Sequence, residues 1–524
     1  MDPRRDAETV LRRVASAASF ASLFHPGRFA DGAIENLAFE IGATLADLGP
    51  GEGRFAPPPV KKEGRRRVLH VARNVALGGH APLMLHWMRR DTTSCHSLAL
   101  VNQRGDVTTP WPETVQRSGG SLVVLPQGSH LEKAQWLRDV ARRSADMVVW
   151  HVIDADVVPI VAFAVQDCPP VALVDHCDHH FWLGGSVADM LVNLRSVGSE
   201  HTAARRYVPR NSVIPIPLTE RGGGMSRRDA RRALGIGEDE IVLLSVGRER
   251  KYRPCGSYDF VATGHKILER EPRAHLYVLG ASVAGMAPHL RHPVPDRLHF
   301  MGRVEGPPLA LYRAAADVYL ESFPYGSQTA LLEAALSGLP VVPAYAPLCS
   351  LLVAHDEALA EVLVNPRDEG EYVERVSSLV REQELRNTLG KELRERLLVD
   401  HVDEGWLGRL AAVQLEMDGL PHHPRPIPES PCCLTEVDVG LSLFNVAADG
   451  RTSSTAPTDD AVVAVLRHRA FVSKYVGDHA AAVRHSWHAI RADPHQLASW
   501  RLLALALLGP VGRFLRRRLR ASAP

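Results

Sequence analysis

Residues 320–342 read LESFPYGSQTALLEAALSGLPVV. An apolar run closes at Phe323, Pro324-Tyr325-Gly326 turns the chain, and Ser327, Gln328 or Thr329 can cap the helix that follows. That helix carries small residues at Ala330, Ala334 and Ala335. It stops at Gly338, before Pro340 and a second apolar run. The first turn of such a helix presents unpaired N–H groups beside a glycine-containing loop. Direct hydrogen bonds and the helix dipole make that end a seat for a diphosphate.

Outward from this unit the same alternation continues. IVLLSVG (241–247), HLYVLG (275–280), LHFMG (298–302), VYLESFP (318–324) and LPVVPAY (339–345) are apolar runs of strand length. An earlier series holds VLHVA (68–72), SLALV (97–101), SLVVLP (121–126), MVVWHVI (147–153) and VALVDH (171–176), with amphipathic stretches such as HLEKAQWLRDVARR (130–143) between some of them. Apolar strands separated by helices imply parallel, doubly wound sheets. The fold class is therefore α/β, with two Rossmann-like domains facing a cleft, where strand C-terminal ends meet a ligand. The expected organisation is a helical N-terminal region and linker (1–63), a first Rossmann-like domain (64–218), a hinge with three consecutive glycines and a second Rossmann-like domain (219–417), a Pro-, Ser- and Thr-rich linker (418–461) and a helical end (462–524). In the last segment Ala470, Gly477, Ala482, Ala489 and Pro494 fall where a tetratricopeptide repeat places small residues and its closing proline. One repeat cannot bury its own face, so it must pack on the catalytic body or be a remnant.

Composition narrows the function classes. The chain has 524 residues, 45% hydrophobic and 23% charged, with a formal net charge of +1. That balance gives no global pull toward nucleic acid or a membrane. Seven scattered cysteines, an odd number, read as reduced thiols in a cytoplasm. The start, MDPRRDAETVLRRVASAASF, lacks the apolar core of a signal peptide, and no apolar stretch is long enough to span a bilayer. A cytoplasmic location is expected. The tail RFLRRRLR (513–520) could touch anionic lipid, but it reads first as a solvated end.

The pattern P-Y-G-x-x-T-x-x-x-E-A-x-x-x-G-x-P-V in the opening stretch resembles the donor motif of GT-B glycosyltransferases. Within that fold family it is most similar to protein O-GlcNAc transferases and bacterial cytoplasmic N-glycosyltransferases. The resemblance implies that Gly326, Ser327, Gln328 and Thr329 hold the donor diphosphate and that Glu333 binds the ribose. It also implies that Arg248 and Lys251, in SVGRERKYRP (245–254), contact donor phosphates, and that the backbone at Gly302, in LHFMGRV (298–304), lies beside the base. Fixed cations there would stabilise the charge that develops on a departing nucleoside diphosphate, without a metal. Retaining families carry a second glutamate eight positions before the ribose-binding one. Here that position is Tyr325, which points toward inversion.

In the acceptor half, ALGGH (76–80) follows the first strand. Gly79 and its neighbour Gly78 let the backbone approach a ligand, and His80 opens a helix. A denser cluster is VDHCDHHFWLGGS (174–186), at the C-terminal end of a strand. His179 is the expected general base, with Asp178 as its orienter or as an alternative base. Phe181 and Trp182 offer either a stacking wall for a sugar or core packing. His176, Cys177, Asp178, His179 and His180 are all capable metal ligands, but adjacent residues on an extended chain point to opposite faces, and no metal or other cofactor is expected.

The resulting expectation is a metal-independent, inverting transfer of a sugar from a nucleotide sugar, taken as a UDP-sugar, to a hydroxyl or amide on a glycan, protein or lipid. The competing readings are a sugar-nucleotide epimerase on the same fold and a catalytically inactive interaction protein.

Overall fold

In the computed structural model, residues 3–45, 64–75, 80–153, 155–220, 225–304, 306–433, 435–448 and 479–508, with parts of 463–474, are described. The linker 49–63, the glycines of the hinge, Gly79, Gly477 and the basic tail lie outside them.

The first apolar series forms β1 (Arg67–Ala72), β2 (Cys95–Leu100), β3 (Leu122–Val124), β4 (Met147–His151) and β5 (Val171–Asp175). Two strands that the apolar runs did not separate, β6 (Met190–Asn193) and β7 (Asn211–Val213), extend the sheet. Its order is β3-β2-β1-β4-β5-β6-β7, all parallel. The second series gives β8 (Ile241–Val246), β9 (Ala274–Leu279), β10 (Leu298–Phe300), β11 (Val318–Leu320) and β12 (Val341–Val342), in the parallel order β10-β9-β8-β11-β12. Central strands such as β4 and β5 are buried along their whole length, as a sheet covered by helices on both faces requires. In each sheet the strand order reverses beside the first strand of its series, β1 or β8. A ligand crevice opens at such a point.

The N-terminal helices Pro3–Phe24 and Gly32–Ala43 pack on one face of the first sheet, joining a core with Trp150, Phe163 and Trp182. Asp31 caps the second helix, and Glu35 from it accepts the backbone N–H groups of Gly184 and Ser186. Phe181 and Trp182 are fully buried, so they serve the core and not a sugar-stacking wall. The indole N–H of Trp182 donates to Asp175.

Two segments depart from the expected organisation. The helix Asp403–Met417, read as the end of the donor domain, packs on the acceptor domain. Its Trp406, Leu410, Val413 and Met417 share a core with Val68, Trp87, Val149 and Val174. Between the expected linker bounds 418 and 461, residues 422–430 run against the acceptor domain. His422 is bonded to Asp189, and Asn36 exchanges two hydrogen bonds with the backbone of Ile427. The helix Glu436–Ala448 follows. A polar, proline-rich composition hid the buried anchors in this stretch.

The helices His479–Ala492 and Leu497–Leu507 pair with each other. The first of them and the preceding segment meet residues 431–433, where His485 approaches Cys432 and Arg469 donates to the carbonyl of Cys433. Among the described residues no helix is long and apolar enough to cross a membrane.

Trp406 is fully buried and its indole N–H donates to the carbonyl of Pro215, at 2.8 Å. Trp406→Ala should cost about 3–5 kcal/mol. It should lower the urea midpoint of the acceptor domain's transition, with Trp406→Phe recovering a large part of the loss.

Candidate functional site

On the donor side, the loop after β8 enters a short 3-10 turn, Glu249–Lys251, that carries the expected cations. Gly247 makes this geometry possible. A Cβ there would press on Ser327, Tyr252 and Ser322, so the β8 loop and the β11 loop meet only because that position is bare. The Lys251 ammonium donates to the carbonyl of Gly326 at 2.6 Å and lies 4.3 Å from the centre of the Tyr325 ring. Desolvation, reinforced by Arg250 and Arg248 and opposed by Glu321, pulls the Lys251 pKa down to about 7. Arg248 is exposed at the start of the turn.

The β11 loop is stitched from within. Ser322 donates to the carbonyl of Tyr325 at 2.8 Å and is bonded to the Ser327 hydroxyl at 3.0 Å. Ser327 is the N-cap residue of the helix Gln328–Leu336, yet its side chain does not cap it, contrary to the expectation that Ser327, Gln328 or Thr329 would. The first-turn amides are therefore left without a cap from that side chain, as an anion-binding helix end requires. Thr329 is exposed on this turn. Gln328 is engaged elsewhere. Its amide donates to the carbonyl of His355 at 2.7 Å and accepts from the His355 N–H at 2.8 Å. Glu333 is paired with Arg313 from the helix Pro307–Ala315. Gly302 adopts a left-handed φ of 67° at the end of β10 and exchanges backbone hydrogen bonds with Gly280 and Ala281.

Local sequence did not single out Glu321. It is fully buried where β11 ends, and its carboxylate accepts the backbone N–H groups of Ala344 (2.9 Å) and Ala354 (2.5 Å). Burial raises its pKa to about 7, against the pull of those two bonds and of Lys251. A Cβ on Gly326 would collide with this carboxylate and with the backbone of Ala354, so the site demands glycine. The available signal was a carboxylate ending an apolar strand, which costs free energy unless it is paired.

On the acceptor side, His179 stands in the loop after β5 and reaches across to the donor domain. Its Nε2 is hydrogen-bonded to the Tyr325 hydroxyl at 2.8 Å, and its Nδ1 lies 3.4 Å from Asp178. Burial, with a contribution from His180 and against the pull of Asp178, lowers its pKa to about 3, so the ring is neutral at pH 7. Asp178 is held by both donors of the Arg195 fork, at 2.6 and 2.8 Å. A carboxylate so engaged is an orienter and a poor proton acceptor. Arg195 then donates to the carbonyls of Leu351 (2.6 Å) and Val353 (2.5 Å) in the donor domain. No local pattern in the sequence flagged Arg195. His80 begins the helix His80–Arg90, and Gly79 lies outside the described residues.

The structure thus gathers His179, Tyr325, Lys251 and Gly326 into one chain of contacts across the two domains. His176 and His179, two of the side chains in the 174–186 cluster, turn to different partners, His151 and Tyr325. A separate cavity of about 210 Å³ opens at the C-terminal ends of β1, β2 and β4, lined in part by Arg73, Asn102, His130, Lys133 and Asp156. Burial lowers the pKa of Lys133 and raises that of Asp156.

Residues 240–382, within the donor half, match the family described as Glycosyl transferases group 1. A D-inositol 3-phosphate glycosyltransferase of Kribbella flavida is 29% identical over 176 residues, 31% of this chain and 40% of that protein. One from Geodermatophilus obscurus is 32% identical over 197 residues, 34% of this chain and 42% of that protein. The alignments therefore span less than half of these relatives' length. Among solved structures, a mutant O-GlcNAc transferase of Thermobaculum terrenum superposes with a TM-score of 0.51 at 18% identity, covering 84% of this chain and 79% of that one. Two parallel-sheet domains in this arrangement are the GT-B fold.

Arg195→Met should strand the Asp178 charge in a buried setting, at a cost of about 3–5 kcal/mol. It should also release residues 351–353 from the acceptor domain. Thermal melts read the first effect, and faster amide exchange across 349–355 reads the second.

Proposed function

We propose that this protein is a glycosyltransferase that moves a sugar from a nucleotide sugar, a UDP-sugar, to a hydroxyl or amide acceptor, without a metal and with inversion. The observation that carries the reading is the contact chain from His179 through Tyr325 to Lys251 and Gly326, which places a neutral imidazole and a diphosphate-type cation on opposite lips of one crevice.

In this reading the uncapped turn at Ser327–Thr329 receives the diphosphate, and Lys251 and Arg248 neutralise it as the bond to the sugar breaks. Binding frees the Lys251 ammonium from the Gly326 carbonyl and gives it a full anionic partner. Glu333, shared with Arg313, holds the ribose. The base lies next to the acceptor, at the His179 loop. Inversion follows from the phenol at Tyr325, where a carboxylate would stand in the retaining families. The acceptor enters over the acceptor-domain sheet. The cavity beside Arg73 and Lys133 suits a hydroxylated molecule with a phosphate or carboxylate, in keeping with the phosphorylated inositol named for the partial relatives.

The test is calorimetric titration of UDP, GDP and ADP into metal-free protein, followed by transfer assays with the sugar nucleotides of whichever binds. UDP binding abolished by Lys251→Ala, with an inverted anomer in the product, is the expected result. Retention of full transfer by Lys251→Ala and Glu333→Ala would overturn the site.

The free-state pKa of about 7 for Lys251 fixes a pH dependence. Below pH 7 the amine is already charged and binding recruits no proton. Above it, a bound diphosphate must draw one proton from solution, so affinity should fall by up to about tenfold per pH unit. Calorimetry at pH 8 in buffers of different ionisation enthalpy should show uptake approaching one proton, lost in Lys251→Met.

A further inference from the structure

Four histidines occupy one file across the acceptor-domain sheet. His96 stands on β2, His70 on β1, His151 on β4 and His176 just past the end of β5. His96, His70 and His151 are fully buried. Their rings are joined edge to edge. His70 Nε2 meets His96 Nδ1 at 3.0 Å, His151 Nε2 meets His70 Nδ1 at 3.0 Å, and His176 Nε2 meets His151 Nδ1 at 3.0 Å. At the inner end His96 Nε2 lies 2.9 Å from the backbone carbonyl of Asp91.

A carbonyl oxygen can only accept, so His96 must carry its proton on Nε2. Its Nδ1 must then accept from His70 Nε2–H. The same logic passes to His151 and to His176. One carbonyl therefore fixes all four tautomers as Nε2–H and gives the file a single direction, from His176 inward. The inner end also has a sink for positive charge. The Asp91 carboxylate lies 3.4 Å from His96 Nε2 and is anchored by Thr93, Ser94 and Gln414. Against the penalty of burial, the bonds from His96, Thr93 and Ser94 hold that carboxyl far below its usual range. Trp87, edge-on to His70 and His151, and Trp406 behind it wall the file with apolar rings. On the outer side, His176 shares its loop with Cys177, Asp178, His179 and His180.

We infer that His176, His151, His70 and His96 form a proton wire that carries a proton from the crevice to a site beside Asp91. The inference rests on the glycosyltransferase reading for its use. His179 has its Nε2 bonded to the Tyr325 hydroxyl and its Nδ1 turned to Asp178, so both ring nitrogens are engaged, and His176 in the same loop takes the acceptor proton into the wire. As the acceptor oxygen or nitrogen bonds to the sugar carbon and the nucleoside diphosphate departs, the acceptor proton bonds to His176 Nδ1. The Nε2 proton of His176 moves to His151 Nδ1, that of His151 to His70 Nδ1, and that of His70 to His96 Nδ1. His96 becomes an imidazolium facing the Asp91 carboxylate. One proton has entered, three have each shifted by one bond, and the charge rests on the ion pair. The reverse sequence returns the proton to solvent after product leaves. His151, His70, His96 and Asp91 act through His176 and are positioning residues.

The first test is hydrogen exchange at the ring nitrogens of 15N-histidine-labelled protein, which needs no substrate. A wire connects the buried Nε2–H of His70 and His96 to solvent, so they should exchange far faster than the flanking β1 and β2 amides. His176→Gln, at the half-buried end, should slow them to the amide rate. Ring protons of the wild type that exchange no faster than those amides would overturn the wire. The second test is turnover. His70→Gln keeps one donor and one acceptor but cannot relay. It should lower kcat by roughly tenfold or more at unchanged UDP affinity, with the number of protons in flight in the solvent-isotope inventory falling to one. Equal kcat in His70→Gln and wild type also overturns the proposal. A wild type that exchanges its ring protons fast but transfers no sugar refutes the glycosyltransferase reading and leaves the wire standing.

Discussion

One guanidinium holds the two halves of this molecule in register. Arg195 rises from the acceptor domain, directs two donors at Asp178 and sends the rest to the carbonyls of residues 351 and 353 in the donor domain. Arginine is suited to this because its planar fork satisfies a carboxylate and still has donors left for a second surface. The segment it grips is fixed from the opposite side as well. Glu321 accepts the Ala354 amide, and Gln328 brackets His355. Residues 351–355 are therefore a clasp, with the acceptor domain on one flank and the helix Gln328–Leu336 on the other. The position of His179 against Tyr325 depends on that clasp.

The chain beyond the donor domain reinforces the same geometry. The helix Asp403–Met417 crosses back to the acceptor domain, so the donor domain is tied down at both its ends. The helix Glu436–Ala448 then lies over the junction. Asp438 is fully buried and paired with His25 and Arg205, and Phe444 packs against Tyr325 at 5.1 Å between ring centres. A single buried carboxylate with two partners thus anchors the helix whose apolar face touches the site. The N-terminal helices, the C-terminal helix and the crevice are one packed unit, with Phe29, Leu351, Leu352 and Leu441 in a shared core.

The site is dry and rich in ionisable groups whose charge is unsettled near neutrality. Lys251 and Glu321 are both displaced to about 7, the first by desolvation downward and the second by desolvation upward. Each also stabilises the charged form of the other. Burial outweighs the mutual attraction at both groups, and an incoming anion tips the balance toward a charged Lys251. The histidine file behind the acceptor loop follows the same rule: buried polar rings satisfy one another in a line that ends on the Asp91 carbonyl.

Strand-length apolar runs separated by amphipathic helices settle on parallel sheets wherever they occur, so the two domains and most of their strands were legible from hydrophobic pattern alone. The glycine-containing turn at Pro324–Gly326 and the basic turn at Arg248 and Lys251 were legible too, because their chemistry is local to a few residues. What the sequence could not show is that the side chains of Ser327 and Gln328 also bond the loop around them, since a hydroxyl or amide near a turn bonds whatever folding brings closest. Arg195 and the His70–His96–His151 alignment left no trace in any short window, and Glu321 left only a carboxylate at the end of an apolar strand. Their partners lie on different strands or different domains, and only strand order brings them together. Periodic burial determined the sheets; which polar groups meet across them was decided by tertiary structure, because a hydrogen bond requires contact in space and is indifferent to distance along the chain.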